Sequence, residues 1–356
     1  MAAIVGLKNQ PLTLFSILSM KAAFVEAINQ PVVVKETQTP RAGAGQVVVE
    51  LKAAALNHRD VWIQKGRYPG MQLPVIIGSD GAGVVSEVGE GVDSAWLGQA
   101  VIINSGHNWG DDARFYGPNF KILGMPDNGT FAEYIQVEAK YIAPKPAHLN
   151  FEAAAAVPLA GLTAWRALVS RAKLRAGERV LVTGAGGGVA LFAVQFAVAQ
   201  GAEVWVTSSS DEKIARAVAL GARGGINYQN PDWAKNLIAA TGGNRAGYFD
   251  VIIDSAGGAG FAKLIDVAAA GGRICFYGGT AGNITDLVPG KIFFKQLDIL
   301  GSTMGSEKEF SEMVQFIETH QIKPVIDQIF PLAQTEAALR RMDEGAQFGK
   351  IILKIG

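Results

Sequence analysis

The residues best suited to chemistry in this sequence are the glycines of Val180-Leu181-Val182-Thr183-Gly184-Ala185-Gly186-Gly187-Gly188-Val189-Ala190. An apolar run that enters a glycine turn and then a helix-forming stretch lets backbone N–H groups approach a pyrophosphate. The positive end of the following helix then stabilises that anion. The spacing departs from G-x-G-x-x-G, whose third glycine would fall at Val189; Gly184, Gly187 and Ala190 are three apart instead. The strand and helix alternation around the turn favours a dinucleotide over a methyltransferase-like nucleotide site. Gly184, Gly186, Gly187, Gly188 and Val189 are therefore candidate cofactor contacts.

The end of the next strand bears on which dinucleotide is bound. A carboxylate there would accept from the ribose 2′-hydroxyl of NAD and repel a 2′-phosphate. Here the strand runs out as Val206-Thr207-Ser208-Ser209-Ser210, with Lys213 and Tyr228 following. Hydroxyls from Ser208 and Ser209, a cation from Lys213 and a donor from Tyr228 favour NADPH over NADH. Glu203 lies at the other end of that strand and reads as a surface charge, and Asp211 as a helix cap. Further turns around Ser255, around Gly278 and Gly279, and around Thr303 sit where the same sheet should present its carboxyl ends, the side on which doubly wound folds bind ligands. Thr163, just before the cofactor sheet, is placed to face the nicotinamide ring or to bond its own helix.

These residues need elements to hold them. From Met20 to about Lys145, β-branched runs such as Val47-Val48-Val49-Glu50-Leu51 and Gly83-Val84-Val85-Ser86-Glu87-Val88 are bounded by turn residues, the pattern of an irregular β lobe. From about Phe151 short apolar strands alternate with helices of about a dozen residues, which implies a parallel sheet covered on both faces. The fold class is thus α/β. At 356 residues the chain is long enough for two such units. Hydrophobic residues make up 49% and charged residues 18%, with 32 basic residues balancing 32 acidic ones, so neither disorder nor bulk nucleic-acid binding is expected. No apolar run is long enough to span a membrane. Residues 1–19 read as an extension before the first strand rather than as a secretory signal. One cysteine, Cys275, within the strand Ile274-Cys275-Phe276, suits a buried position and a cytoplasmic protein.

Across nearly the whole chain from Met20, ordered motifs resemble the medium-chain dehydrogenase/reductase superfamily and, within it, the quinone oxidoreductase branch. They include Asn57-His58-Arg59-Asp60, Gly66-Arg67-Tyr68, Leu73-Pro74-Val75-Ile76-Ile77-Gly78-Ser79-Asp80-Gly81, Gly129-Thr130-Phe131-Ala132-Glu133-Tyr134 and the glycine turn. The resemblance implies a GroES-like β-rich catalytic domain from both chain ends (20–147 and 308–356), a Rossmann NADP-binding domain (148–307) and a cleft between them. It also implies a homodimer joined through an edge strand matching residues 297–302. Zinc alcohol dehydrogenases of the superfamily carry a ligating cysteine where this chain has Asn57 and a ligating histidine where it has Ser79; the stretch 106–124 lacks the four cysteines of their structural zinc lobe.

No metal is therefore expected. What remains is hydride transfer from NADPH to an electrophilic carbon, as in a quinone or an α,β-unsaturated ketone or aldehyde. By its place in the family pattern Asn57 is the candidate to bind the substrate oxygen, Tyr68 to donate a hydrogen bond or relay a proton, and Asp60 to orient neighbours such as Arg59. A metal-free NADP-linked alcohol or aldehyde dehydrogenase and a non-catalytic nucleotide-binding protein are the alternatives.

Overall fold

A computed structural model describes residues 19–244 and 246–356. The expected extension, residues 1–19, lies outside them except for Ser19, which already belongs to the first strand, Ser19–Val25.

The cofactor sheet has six parallel strands in the spatial order Gly224–Asn227, Glu203–Ser208, Arg179–Val182, Phe249–Asp254, Ala268–Phe276 and Asp298–Gly301. Its central strands are apolar on both faces because helices cover both: Val180, Leu181, Val182, Ile252 and Ile253 are all fully buried. Gly188–Ala199, apolar almost all round, packs against Pro158–Trp165 and so lies inside the protein. Asp211–Ala219 is amphipathic instead, with Ser210 capping its first turn and Asp211 and Glu212 beside its positive end. The strand Gly224–Asn227 and the helices Trp233–Thr241 and Pro289–Lys295 have no clear sequence signal. Gly224 and Gly225 form a strand only because tertiary pairing with Glu203–Ser208 supplies the order, with the Trp205 ring lying where a side chain at Gly224 would go.

The β lobe centres on Gln46–Ala55, which pairs antiparallel with Asp80–Val88, with Tyr134–Glu138 and with the last strand, Lys350–Lys354. The apolar residues of this strand from Val47 to Ala55 are buried, while Glu50 and Lys52 stay partly exposed. The chain returns from the cofactor unit through Glu307–Thr319 and then adds Ile326–Pro331 and Lys350–Lys354 to the sheet of the β lobe. Register has a direct consequence: Ala55 lies opposite Asp80 on one side and Ile352 on the other. The chain just beyond Ala55 is therefore brought beside Asp80 and Lys350.

Candidate active site

A cleft of about 390 Å³ lies between the two units. One wall carries Gly187, Gly188, Val189, Ser255 and Gly278 from the carboxyl ends of the parallel strands. The other carries Asn57, His58, Arg59, Trp62, Tyr68 and Lys350 from the β lobe. Thr163, Thr303 and Met304 close it between them.

The glycine turn is shaped as the sequence requires. Gly184 and Gly186 have φ of 67° and 142°, values that L side chains rarely adopt. The helix starts at Gly188 with Gly187 as its cap, and a side chain at Gly187 would meet open space. A dinucleotide pyrophosphate fits this cradle: bare backbone, a free helix start and open volume in front of it. Ser208 supports the turn rather than facing solvent. Its buried hydroxyl donates to the Ala185 carbonyl at 3.0 Å. Ser209 is exposed and Tyr228 is 45% exposed, its backbone N–H bonded to the Ser208 carbonyl. Lys213 reaches across the turn to the Gly345 carbonyl at 3.2 Å. Asp211 accepts from the Asn227 side chain at 3.2 Å, while the cap of its helix is Ser210. Glu203 is held by Trp205 Nε1 and the Tyr248 hydroxyl, far from the turn as expected.

At the β-lobe wall a polar network is buried within apolar surroundings. At the start of the helix His58–Gln64 the Asp60 carboxylate reaches back to accept from the Asn57 backbone N–H at 2.8 Å. The Asn57 amide turns inward, its Nδ2 donating to Asp80 Oδ2 at 2.9 Å and its Oδ1 accepting from Lys350 Nζ at 2.6 Å. Lys350 Nζ also donates to Asp80 Oδ2 at 2.9 Å and to the Leu56 carbonyl at 2.7 Å. Asp80 is fixed from behind by the Ser105 hydroxyl and the Leu159 N–H, both at 2.8 Å.

Asp60 is completely buried, which pushes its carboxyl up to about 6 from an ordinary 3.8 against the pull of the Arg59 charge and the Asn57 N–H. It thus orients Asn57 through the backbone, and no hydrogen bond joins it to Arg59. Arg59 donates through Nη1 to Ser79 Oγ and to the Leu123 carbonyl, and its guanidinium lies 4.5 Å from the centre of the Tyr68 ring. Tyr68 is held as a cleft wall by that stacking. Trp62 shares the wall, in edge contact with His58, whose pKa burial lowers. Trp109 is not a cleft residue: it is buried against Arg166 and Phe120.

The Thr163 hydroxyl bonds the Leu159 carbonyl of its own helix at 2.8 Å while the residue lines the cleft. Ser255 approaches the turn from the neighbouring strand, its hydroxyl lying 2.7 Å from where a side chain at Gly184 would start. Gly278 runs against the Ser255 backbone so closely that no side chain could stand there; Gly279 follows in the same loop. Lys350 and Asp80 are the site residues that motif reading underrates. The available signal was a lysine opening an otherwise apolar terminal strand, Lys350-Ile351-Ile352-Leu353, in a segment paired to the strand that delivers Asn57.

Two family models match the chain: an alcohol dehydrogenase GroES-like domain over residues 43–147 and a zinc-binding dehydrogenase over residues 188–319. A relative from Leptosphaeria maculans, the zinc-type alcohol dehydrogenase-like protein YogA, is 39% identical over 95% of this chain and 98% of its own. The chain belongs to the medium-chain dehydrogenase/reductase superfamily. A solved structure of an NAD-dependent alcohol dehydrogenase superposes with a TM-score of 0.88 at 40% identity, over 95% of this chain and 100% of the other. The acryloyl-coenzyme A reductase of Metallosphaera sedula is 29% identical over 94% of this chain and 100% of its own. As a superfamily member with this cradle, the chain is an NAD(P)-dependent oxidoreductase.

Zinc, which the family description implies, does not fit the residues of this cleft. Where the resemblance places ligands stand the Asn57 amide, already bonded on both atoms, and the Ser79 hydroxyl, which donates to Leu123 and accepts from Arg59. The Asp80 carboxylate beside the Asn57 amide is paired with a buried ammonium. A dication beside Lys350 Nζ would meet like charge and no thiolate, and the imidazole that lines the cleft, His58, is packed edge-on against Trp62 rather than aimed at Asp80 or Asn57 through a hydrogen bond. Among the described residues no group of three His, Cys, Asp or Glu side chains is arranged for a metal.

Proposed function

We propose that this protein is a zinc-independent, NADPH-dependent reductase of quinones or α,β-unsaturated carbonyl compounds. The observation that carries this reading is the buried Asn57–Asp80–Lys350 network, which puts an amide donor on the cleft wall opposite the glycine cradle where a metal-dependent enzyme would need ligands. NADPH, when bound, supplies the hydride. The chain itself seats the pyrophosphate on Gly187, Gly188 and Val189, confines a flat acceptor between Trp62, Tyr68 and Met304, and offers Asn57 to the oxygen on which negative charge develops. Tyr68 stands in the same wall as a hydroxyl donor, and solvent supplies the remaining proton through the open cleft mouth. Asp60 acts through Asn57 and does not face the acceptor.

Preference for the phosphorylated cofactor rests on Lys213, Ser209 and Tyr228 around a strand end without a carboxylate. Thr163, Ser255, Gly278, Gly279 and Thr303 would line the path of the nicotinamide half. The assignment of 20–147 with 308–356 to substrate and 148–307 to cofactor follows the same division. We further propose a cytoplasmic homodimer joined at the strand Asp298–Gly301, whose outer edge has no neighbour in the sheet among the described residues; the adjoining helix exposes Phe293 and Phe294. Among the described residues no helix is long and apolar enough to cross a membrane.

Screening quinones, enones, enals and saturated alcohols through NADPH absorbance tests the reaction class. Rapid NADPH oxidation by enones or quinones with no reduction of NADP by alcohols is the expected result. The opposite pattern would select the second reading, a metal-free alcohol dehydrogenase; alcohol dehydrogenase is the word in the names of two similar proteins, one of them called zinc-type. NADPH binding without turnover by any acceptor would indicate a non-catalytic nucleotide-binding protein.

A further inference from the structure

Lys350 is 3% exposed, yet it lines the cleft, with its side chain lying over Gly188 so closely that a Cβ there would stand 2.7 Å from Lys350 Cδ. Its three N–H bonds go to the Leu56 carbonyl, Asn57 Oδ1 and Asp80 Oδ2 at 2.7, 2.6 and 2.9 Å. An ammonium has donors only, so the Asn57 atom facing it must be the carbonyl oxygen; a carboxylate has acceptors only, so the atom facing Asp80 must be the nitrogen. Together the two neighbours leave the amide one orientation. Nδ2 spends one N–H on Asp80 and keeps the other, and Asn57 borders the cleft.

We propose that Lys350 is a positioning residue for the reduction: it locks the Asn57 amide with its carbonyl turned inward, leaving one N–H for the substrate oxygen. The inference rests on the reductase reading of this site. Its chemistry is that of a hydrogen-bond chain ending in a cation. The ammonium draws electron density from Oδ1, which makes the free N–H a stronger donor as an enolate or hydroquinone oxygen becomes negative. No proton moves along the chain and no bond in it is made or broken; the hydride goes to carbon, and the oxygen is stabilised while it carries charge. A fixed organic cation, held in place by Asp80, thus stands behind the amide that meets the substrate oxygen.

Lys350→Met alone strands the buried Asp80 charge and is prone to unfold, so the informative variant is Lys350→Met with Asp80→Asn, which removes both charges. In that variant nothing fixes the amide: a thioether in place of the ammonium no longer requires an acceptor, and a carboxamide in place of the carboxylate presents an N–H of its own. The probe is 4-nitrophenol, a stand-in for the enolate oxygen, titrated by absorbance in the presence of NADP, so that the readout needs no turnover. In the wild type the bound phenol should ionise about one pH unit lower than free phenol, and the double variant and Asn57→Ala should both abolish that shift. Turnover of an enone should fall about 100-fold in the double variant, with NADPH affinity, read by fluorescence, unchanged within about threefold.

A preserved phenol shift in the double variant would overturn the proposal. So would a double variant that loses NADPH affinity and keeps its turnover, because Lys350 would then serve the cofactor rather than Asn57. If no acceptor is reduced by the wild type but the phenol shift depends on Lys350, the reductase reading fails and the positioning role stands.

Discussion

At the β-lobe wall of the cleft three side chains, Asn57, Asp80 and Lys350, are buried and hydrogen-bonded to one another; beyond the glycine turn, Ser209 and Tyr228 stand in solvent and Lys213 rests on a single carbonyl. The first region is assembled before any ligand arrives, because the register of three strands fixes it. The second has exposed groups that a ligand phosphate would have to gather. Catalysis by preorganised dipoles needs the first arrangement, since a donor that must reorganise during the reaction loses its advantage. Binding a 2′-phosphate tolerates the second, because charge attraction acts without strict geometry. The wall should therefore govern turnover and fold, and the serine end should govern cofactor choice.

The largest expected effect is that of Asn57→Ala, which should lower kcat about 100- to 1000-fold while NADPH affinity, followed by fluorescence, stays within about twofold. Unchanged turnover would break the contrast at its stronger end. Next, Lys350→Met should destabilise the fold by about 3–5 kcal/mol in chemical denaturation, and adding Asp80→Asn should recover most of that, as the stranded charge is the cause. Similar losses in both variants would mean that packing of the lysine stem, not charge, sets the cost.

At the serine end, Ser209→Asp with Lys213→Ala should raise the NADPH Michaelis constant about tenfold and leave that for NADH nearly unchanged. Position 209 is the one to alter, since the Ser208 hydroxyl is committed to the glycine turn. Equal effects on both cofactors would remove the 2′-phosphate assignment.

Smaller still is the pH effect of Asp60. Its folded carboxyl titrates near 6 and its unfolded one near 3.8, so between these values the native chain holds a proton that the unfolded chain has released. The stability this gives is complete below the unfolded value and is lost as pH rises through the folded one. Asp60→Asn removes that loss, so its denaturation free energy relative to wild type should rise between about pH 4 and 6.5 and then level off. A flat difference would place the Asp60 carboxyl at its ordinary value. The smallest expected signal is from Cys275, buried and with its thiol pushed up to about 12: a thiol reagent should leave the native protein unmodified and label it once unfolded.

Much of this was legible in the sequence because it depends on local rules. The glycine turn announces itself through backbone geometry that few other residues can adopt, and the cofactor strands through short apolar runs. Asn57 was singled out by its place in a family pattern, which does not reveal the partners of its amide. Asp80 and Lys350 are 270 positions apart in the chain, and only strand register, with Asp80 and Ile352 on either side of Ala55, shows that both come beside Asn57. Ser208 illustrates the opposite error. A hydroxyl at a strand end reads as a ligand for phosphate, and only the three-dimensional fold reveals that the Ala185 carbonyl already claims it. Hydroxyl chemistry is visible in a sequence, whereas the direction in which a hydroxyl is spent is not.

The central claim is that a buried lysine and an amide do the work for which relatives in this superfamily are named after zinc. The most direct test is to dialyse the protein against a strong chelator, measure its zinc content, and follow enone reduction by NADPH before and after. Full activity without stoichiometric zinc is the predicted result. One zinc per chain, with activity lost on its removal and restored by its return, would contradict the account.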